Sequence, residues 1–371
     1  MAELTNATYD FSTSKAPMLG QQTLVKQALS ALSEDLDALE QVMSYSAQGL
    51  DKHKQVFVHW LASRKISAHT ADIVFTQGAQ QGIYTCLQIL TNENDYVLHE
   101  ELAYPGFFRA VDACNVKLLS VPLSPEGLDL NILESYCQQF NPKVLYLTAN
   151  MQNPTNVRYS AQQLADIASL SKKYHFYIIE DDVNYCLPEH WRLPLQQQAP
   201  DRVFYVSGLA KYIAGGLRVA YTLVPKKWQQ AFNAHIHSQC WMVSTLNIEL
   251  VTRFLNSEQF DHNQQHLADE MRERQLLFKA FADKHQLSVR SGGLNVWLEL
   301  PEPLDVYQFD QLLAARNIKV RAANIFLYNT TDPAPQNSMR LSLGSFNTRA
   351  SFEQGLAAFD KAFNDFKQQQ Q

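Results

Sequence analysis

Short apolar runs recur along the middle of the chain at 72–75, 96–99, 117–121, 144–147, 177–180, 203–206 and 219–224. They are too short for helices and too continuous for strands with one wet face, so the pattern predicts strands buried on both sides. Helical segments lie between several of them. The clearest covers 160–174, where Ser160 and Gln163 have the spacing of a capping box. Strands alternating with helices imply an α/β fold, with a mostly parallel sheet sandwiched by helices.

The texture differs at both ends. Residues 22–50 read as a helix with a polar surface, and 52–64 as a second helical stretch. Beyond about residue 255, a long charged helix over 258–285 leads into strand-like runs at 296–300, 319–321 and 339–343. The organisation expected is a large domain over 51–255 and a smaller α/β domain over 256–371, joined by the segment 1–50. A chain of 371 residues suffices for two such cores.

Composition narrows the function classes. The formal net charge of −6 lacks the basic surplus of a nucleic-acid binder. Cys86, Cys114, Cys137, Cys186 and Cys240 are scattered, odd in number and without a CxxC pair. That argues against a disulfide framework or a metal site and for a reducing, cytoplasmic setting. No stretch approaches the roughly 20 apolar residues of a membrane helix, and the first residues hold no apolar leader.

The candidate chemistry sits just past the strand ends. Lys211 follows the run 203–206, with Gly215, Gly216 and Arg218 shortly after. A ligand at that place in an open α/β sheet would meet the lysine first. By itself, a lysine before a turn is most often a surface residue. Gly78, Ala79 and Gln80 join a strand to a helix, so their backbone N–H groups can cradle an anion. Asp181 and Asp182 form an acidic pair that could bind a metal, cap a helix or hold a protonated ring nitrogen. No further ligands have metal-site spacing. Neither GxGxxG nor GxxxxGK[ST] occurs, which removes the main support for dinucleotide and P-loop readings.

Taken in order, TQGAQQG, AYPGF, NMQNPTN, IIEDDVNY, SGLAKYIAGGLRVAY, GGLNVWLEL and MRLSLG resemble the class I and II aminotransferases of the fold-type-I pyridoxal-phosphate enzymes. The likeness spans about 45–343 and is closest to the aminotransferase-like domain of MocR-type proteins. It implies pyridoxal 5′-phosphate as cofactor, an L-amino acid and a 2-oxo acid as substrates, and a homodimer with shared sites. Lys211 matches the Schiff-base lysine, which also shuttles the substrate proton. Asp182, three residues before Tyr185, matches the aspartate on the pyridinium nitrogen, while Asn153 and Tyr185 match the partners of the phenolic oxygen. Tyr104 matches the aromatic stacked on the ring. Gly78, Ala79 and Gln80, with Arg218, match the phosphate site. Arg340 matches the clamp on the substrate carboxylate, with Asn153 beside it. Tyr45 resembles the tyrosine that reaches the neighbouring subunit's phosphate.

The pattern also departs from the family. Gly208 stands where Ser or Thr usually contacts the phosphate, with Ser207 as a substitute, and Ala210 replaces a frequent Ser. Asn156 replaces a glycine and is the residue that best tolerates a left-handed backbone. The winged-helix domain of MocR proteins has no room before Tyr45, so a stand-alone enzyme is expected. The alternatives are a lyase on the same fold or a non-catalytic sensor that binds the cofactor.

Overall fold

The structure, a computed structural model, describes residues 8–330 and 336–370. Seven strands form the main sheet: β1 (Ile73–Thr76), β2 (Tyr96–Glu100), β3 (Lys117–Val121), β4 (Val144–Leu147), β5 (Tyr177–Asp181), β6 (Val203–Gly208) and β7 (Ala220–Leu223). Their order is β1-β7-β6-β5-β4-β2-β3. All run in one direction except β7, which is antiparallel to both of its neighbours.

Both faces of the sheet are covered, which is why the runs are continuously apolar. Leu98, Leu145 and Ile178 pack on one side with Leu133, Leu164 and Ile167 from helices. Val97, Val144 and Ile179 point the other way, against Ile83, Leu87 and Phe107. Helix α1 (Asp51–Ser63) precedes the sheet, α2 (Ala79–Leu90) follows β1, and α3 (Ala161–Tyr174) leads into β5. Only half of the expected capping box forms. Ser160 accepts from Gln163 N at 3.1 Å, but the Gln163 side chain donates to Leu128 O instead.

The expected helix over 22–50 is two helices, Gln21–Ser33 and Leu36–Met43. Asp35 breaks it by capping the second helix, accepting from Ala38 N at 3.0 Å. The run 319–321 also divides. Ile318–Lys319 pairs with Tyr9–Asp10 near the N-terminus, while β10 (Arg321–Ala322) joins a second sheet. That sheet holds β8 (Ser288–Ser291), β9 (Asn295–Glu299), β10 and β11 (Ser338–Ser342) in the antiparallel order β8-β9-β11-β10.

The second sheet is backed by α4 (Glu258–His285) and α5 (Arg349–Gln369). Phe281, Phe309, Phe359 and Phe363 interlock there with centroids 5.4–5.9 Å apart. Phe11, fully buried, joins them through Phe346 at 4.7 Å and Phe359 at 5.9 Å. The N-terminal segment is thereby anchored beside β11. Among the described residues, no helix is long and apolar enough to cross a membrane.

Arg274 ties α4 to the end of β11. It is fully buried, with Nε on Glu270 at 2.8 Å and Nη1 on the carbonyls of Leu343 (2.7 Å) and Phe346 (2.8 Å). Replacing it strands two buried acceptors and removes one partner of a buried carboxylate. Arg274→Met is expected to cost about 3 kcal/mol in urea unfolding. A loss below about 1 kcal/mol would mean that the tie contributes little.

Candidate active site

The C-terminal ends of β1, β5 and β6 open onto one cavity of about 270 Å³, where ligands sit in open α/β sheets. Its wall holds Gly78, Ala79, Gln80, Tyr104, Asn153, Lys211, Arg218 and Arg340, so most of the residues singled out in the sequence converge.

At one end, Gly78 takes φ +77, and a Cβ there would collide with the Arg218 guanidinium. Glycine is required both for the backbone angle and for this close approach. Arg218 lies across the turn with Nη2 on Gln77 O at 3.3 Å, beside the N-terminus of α2 and its unpaired amides. Gln80 donates to Gly106 O at 2.6 Å, and its Oε1 is buried without a partner. Tyr104 is folded over Gly106, where a Cβ would strike its ring.

At the other end, Arg340 lies in β11, 8% exposed, with Nη1 on Asn153 Oδ1 at 2.7 Å and Nη2 on Ser12 O at 2.9 Å. Its Nε is buried without a partner, and no carboxylate lies within ion-pair distance among the described residues. Burial, helped by the nearby Arg321 charge, lowers its pKa to about 10. Asn156 has φ 57, the left-handed backbone foreseen for it, and its Nδ2 holds the loop to Arg290 O and Asn295 O.

Between these ends stands Lys211, half-buried, with Nζ on Ser14 O. Burial first, then the Arg340 and Arg218 charges, lower its pKa to about 8, while Asp181 opposes them.

Three sequence assignments are corrected. Asp182 does not line the cavity; its Oδ2 accepts from Tyr205 OH at 2.5 Å on the other side of β5. Tyr185 packs edge-on against Tyr212 at 5.3 Å in the hydrophobic core. Ser207 also points away, donating to Asp182 O at 2.9 Å, so it does not substitute for Gly208. For Asp182 and Ser207 the reason is strand alternation, which sends neighbouring side chains to opposite faces, whereas Tyr185 lies four residues beyond the end of β5.

Asp181, Asn184 and Ser14 hold the cavity positions instead. Asp181 accepts from Tyr146 OH at 2.7 Å through Oδ2, while its Oδ1 is buried and unpartnered. Burial raises its pKa to about 6. Asn184 donates to Met151 O at 2.9 Å. Counting three residues back from 184 instead of 185 would have found Asp181. Tyr45 lies away from this cavity, 86% exposed beside Trp241.

Residues 8–359 match the aminotransferase class I and II family, and the chain belongs to it. Membership of that family points to pyridoxal phosphate as the cofactor. It is similar to the uncharacterized HTH-type transcriptional regulator YdeF of Bacillus subtilis, 28% identical over 79% of this chain and 63% of the regulator. The chain thus spans less than two thirds of that relative's length. It is also 28% identical to the aminotransferase tdiD of Emericella nidulans, over 77% of this chain and 71% of that one. Among solved structures, α-aminoadipate aminotransferase LysN of Thermus thermophilus, complexed with N-(5′-phosphopyridoxyl)-L-leucine, has the same fold. The TM-score is 0.84 at 22% identity, covering 98% of this chain and 94% of LysN.

The lowered lysine value gives a direct test. In cofactor-free protein, Lys211 is protonated below pH 8 and becomes a free nucleophile as pH rises through about 8. Pulsed acetylation read by peptide mass spectrometry should show a midpoint there, well below that of an ordinary lysine. A midpoint near the ordinary lysine value of about 10.4 would contradict the burial argument.

Proposed function

We propose that the chain is a pyridoxal-phosphate-dependent aminotransferase that moves an amino group from an L-amino acid to a 2-oxo acid. The observation that supports this best is the set of unmet polar groups around one cavity. Asp181 Oδ1 and Arg340 Nε are both buried without partners, on a wall they share with Lys211. Buried polar atoms without partners are costly, so such a set favours a ligand that supplies an acceptor at Arg340 and a donor at Asp181.

Pyridoxal 5′-phosphate fits those demands. Arg218 and the α2 N-terminus, with Gly78, Ala79 and Gln80, would hold the phosphate. Tyr104 would cover one face of the ring. Asp181 would accept from the ring nitrogen, and Asn153 and Asn184 have amide groups to offer the phenolic oxygen. When bound, the cofactor supplies an aldehyde that bonds amines and a ring that takes up the electron pair released at the substrate Cα.

The chain's own groups do the rest. Arg340 binds the substrate carboxylate and so fixes the Cα beside Lys211. The Lys211 amine takes the Cα proton, and its lowered pKa leaves part of it neutral and able to do so at physiological pH. Ser12 O already occupies Arg340 Nη2, so the N-terminal segment borders the place where the substrate carboxylate sits.

Borohydride is expected to fix pyridoxal phosphate covalently to the wild type and not to Lys211→Ala. Turnover of an amino donor should require a 2-oxo acid acceptor. Ammonia release without an acceptor would indicate a lyase, and cofactor binding with no turnover a sensor. Arg340→Lys should keep the covalent labelling while kcat/KM for the amino donor falls by roughly 100-fold, as expected for a lost bidentate clamp.

We also infer a cytoplasmic homodimer in which Tyr45 reaches the partner's phosphate site. Met43, Tyr45 and Trp241 form an exposed apolar group on one surface, and all five cysteines are free thiols. Light scattering should give twice the 42.3 kDa chain mass, and Tyr45→Phe should weaken cofactor binding several-fold. A monomeric mass with full activity would end this reading.

A further inference from the structure

Glu100, at the C-terminal end of β2, is fully buried and has no part in the chemistry set out above. Donors converge on its carboxylate. Thr148 N lies 3.2 Å from both oxygens, and Thr148 Oγ1 donates to Oε2 at 2.7 Å. Gln152 Nε2 donates to Oε2 at 3.1 Å and Tyr159 OH to Oε1 at 2.8 Å. The two amide N–H groups can only donate, so the arrangement suits a carboxylate and not a carboxylic acid. Burial pushes the Glu100 pKa up, while the bonds from Thr148, Tyr159 and Gln152 pull it back. Among the titratable groups around it, burial keeps His99, Tyr146 and Tyr159 neutral near pH 7 and raises Glu101.

These donors flank the stretch that carries Asn153, and two of them reach its backbone. Thr148 Oγ1, while donating to Glu100, accepts from Asn153 N at 3.3 Å. Gln152 Nε2 also meets Asn153 O at 3.2 Å and Leu102 O at 2.6 Å. The Gln152 Oε1 accepts from Thr155 N at 2.8 Å and Thr155 Oγ1 at 2.7 Å, which closes the turn beyond Asn153. The backbone on both sides of Asn153 is thus tied to one buried charge. Asn153 in turn lines the cavity with its Oδ1 taken by Arg340 Nη1, so its amide nitrogen is the group left for a ligand.

We propose that Glu100 is a positioning residue whose carboxylate holds the backbone on both sides of Asn153 and so fixes that side chain between Arg340 and the cofactor. This rests on the reading, given above, that Asn153 offers its amide to the phenolic oxygen. Glutamine at 100 would keep the shape but replace one acceptor oxygen with an NH2 group. That group would then face an N–H of Thr148 or Gln152, and two donors cannot share a hydrogen bond. The loop must give way, and Asn153 moves with it.

The test reads the pH at which the visible absorbance of bound pyridoxal phosphate changes. It compares wild type with Asn153→Ala, Glu100→Gln, Thr148→Val and the Glu100→Gln/Asn153→Ala pair. A hydrogen bond to the phenolic oxygen favours its ionised form, so Asn153→Ala should raise the midpoint by roughly one pH unit. Glu100→Gln should raise it by about half as much or more. Thr148→Val, which cuts only the bridge to Asn153 N, should give a smaller rise, and it decides alone if Glu100→Gln does not fold. The pair should stay within about 0.3 pH units of Asn153→Ala, because Glu100 acts through Asn153. Additive shifts overturn the proposal. Hydrogen exchange in the cofactor-free protein is the second readout. Peptides covering 148–157 should exchange roughly tenfold faster in Glu100→Gln, while β5 keeps its wild-type rates. Faster exchange throughout the sheet would mark a merely structural role and overturns the proposal as well. A wild-type midpoint in Asn153→Ala sinks the reading of Asn153 itself. A raised midpoint there, beside wild-type values in Glu100→Gln and Thr148→Val, sinks only the role of Glu100.

Discussion

A guanidinium buried at Arg340 with only neutral acceptors is the constraint around which the site is arranged. A charge removed from water needs a counter-charge or several good hydrogen bonds. Arg340 finds Asn153 Oδ1, Ser12 O and the face of Phe326, whose centroid is 5.0 Å away. Those partners come from a loop of the main sheet, the N-terminal segment and the small sheet. One side chain thus requires three parts of the fold to meet, and each is secured elsewhere. Phe11 fixes the N-terminal segment in the aromatic core, Asn156 fixes the loop, and Arg274 fixes the end of β11. The Arg340 Nε is left buried without a partner, and in the proposed reading it would receive the substrate carboxylate.

The same economy operates at the opposite end. Gly78 has no side chain because the Arg218 guanidinium occupies the space. Gly208, where a hydroxyl residue is common in the family, has its own limit. A Cβ there would lie 2.9 Å from Ala220 Cβ on the antiparallel β7. The close pairing of β6 and β7 explains the glycine in packing terms, and in the proposed reading a phosphate would then depend on Arg218 and the α2 N-terminus.

Most of the fold was legible because burial on both faces leaves a strong mark: seven continuous apolar runs became seven strands with ends shifted by a residue or two. The helix break at Asp35 was a cap read as an interior residue. The site was legible to the level of segments but not always of faces. Asp181 and Asp182 are chemically identical, and only the direction of each Cβ at the end of β5 tells them apart. Ser207 failed for the same reason. Ser14 could not be found by motif, since its part in the site is a backbone carbonyl brought near by Phe11, far away in sequence. Tyr45 raises a different difficulty: the role proposed for it lies at a second subunit, outside this chain.

Charge balance connects these observations to the chemistry. The cavity wall carries Lys211, Arg218 and Arg340 against a single carboxylate, Asp181. After burial, the Arg340 and Arg218 charges are the influences that hold Lys211 down. A phosphate at Arg218 and a substrate carboxylate at Arg340 would offset both of them. The lysine would then become more basic as the site fills, and strongest as a proton acceptor when a substrate Cα lies beside it. An empty site keeps the amine partly neutral and ready to bond a carbonyl, whereas a filled one favours taking up the proton. In the proposed reading the two arginines would do more than hold anions: occupied or not, they would set which of its two tasks Lys211 is suited to perform.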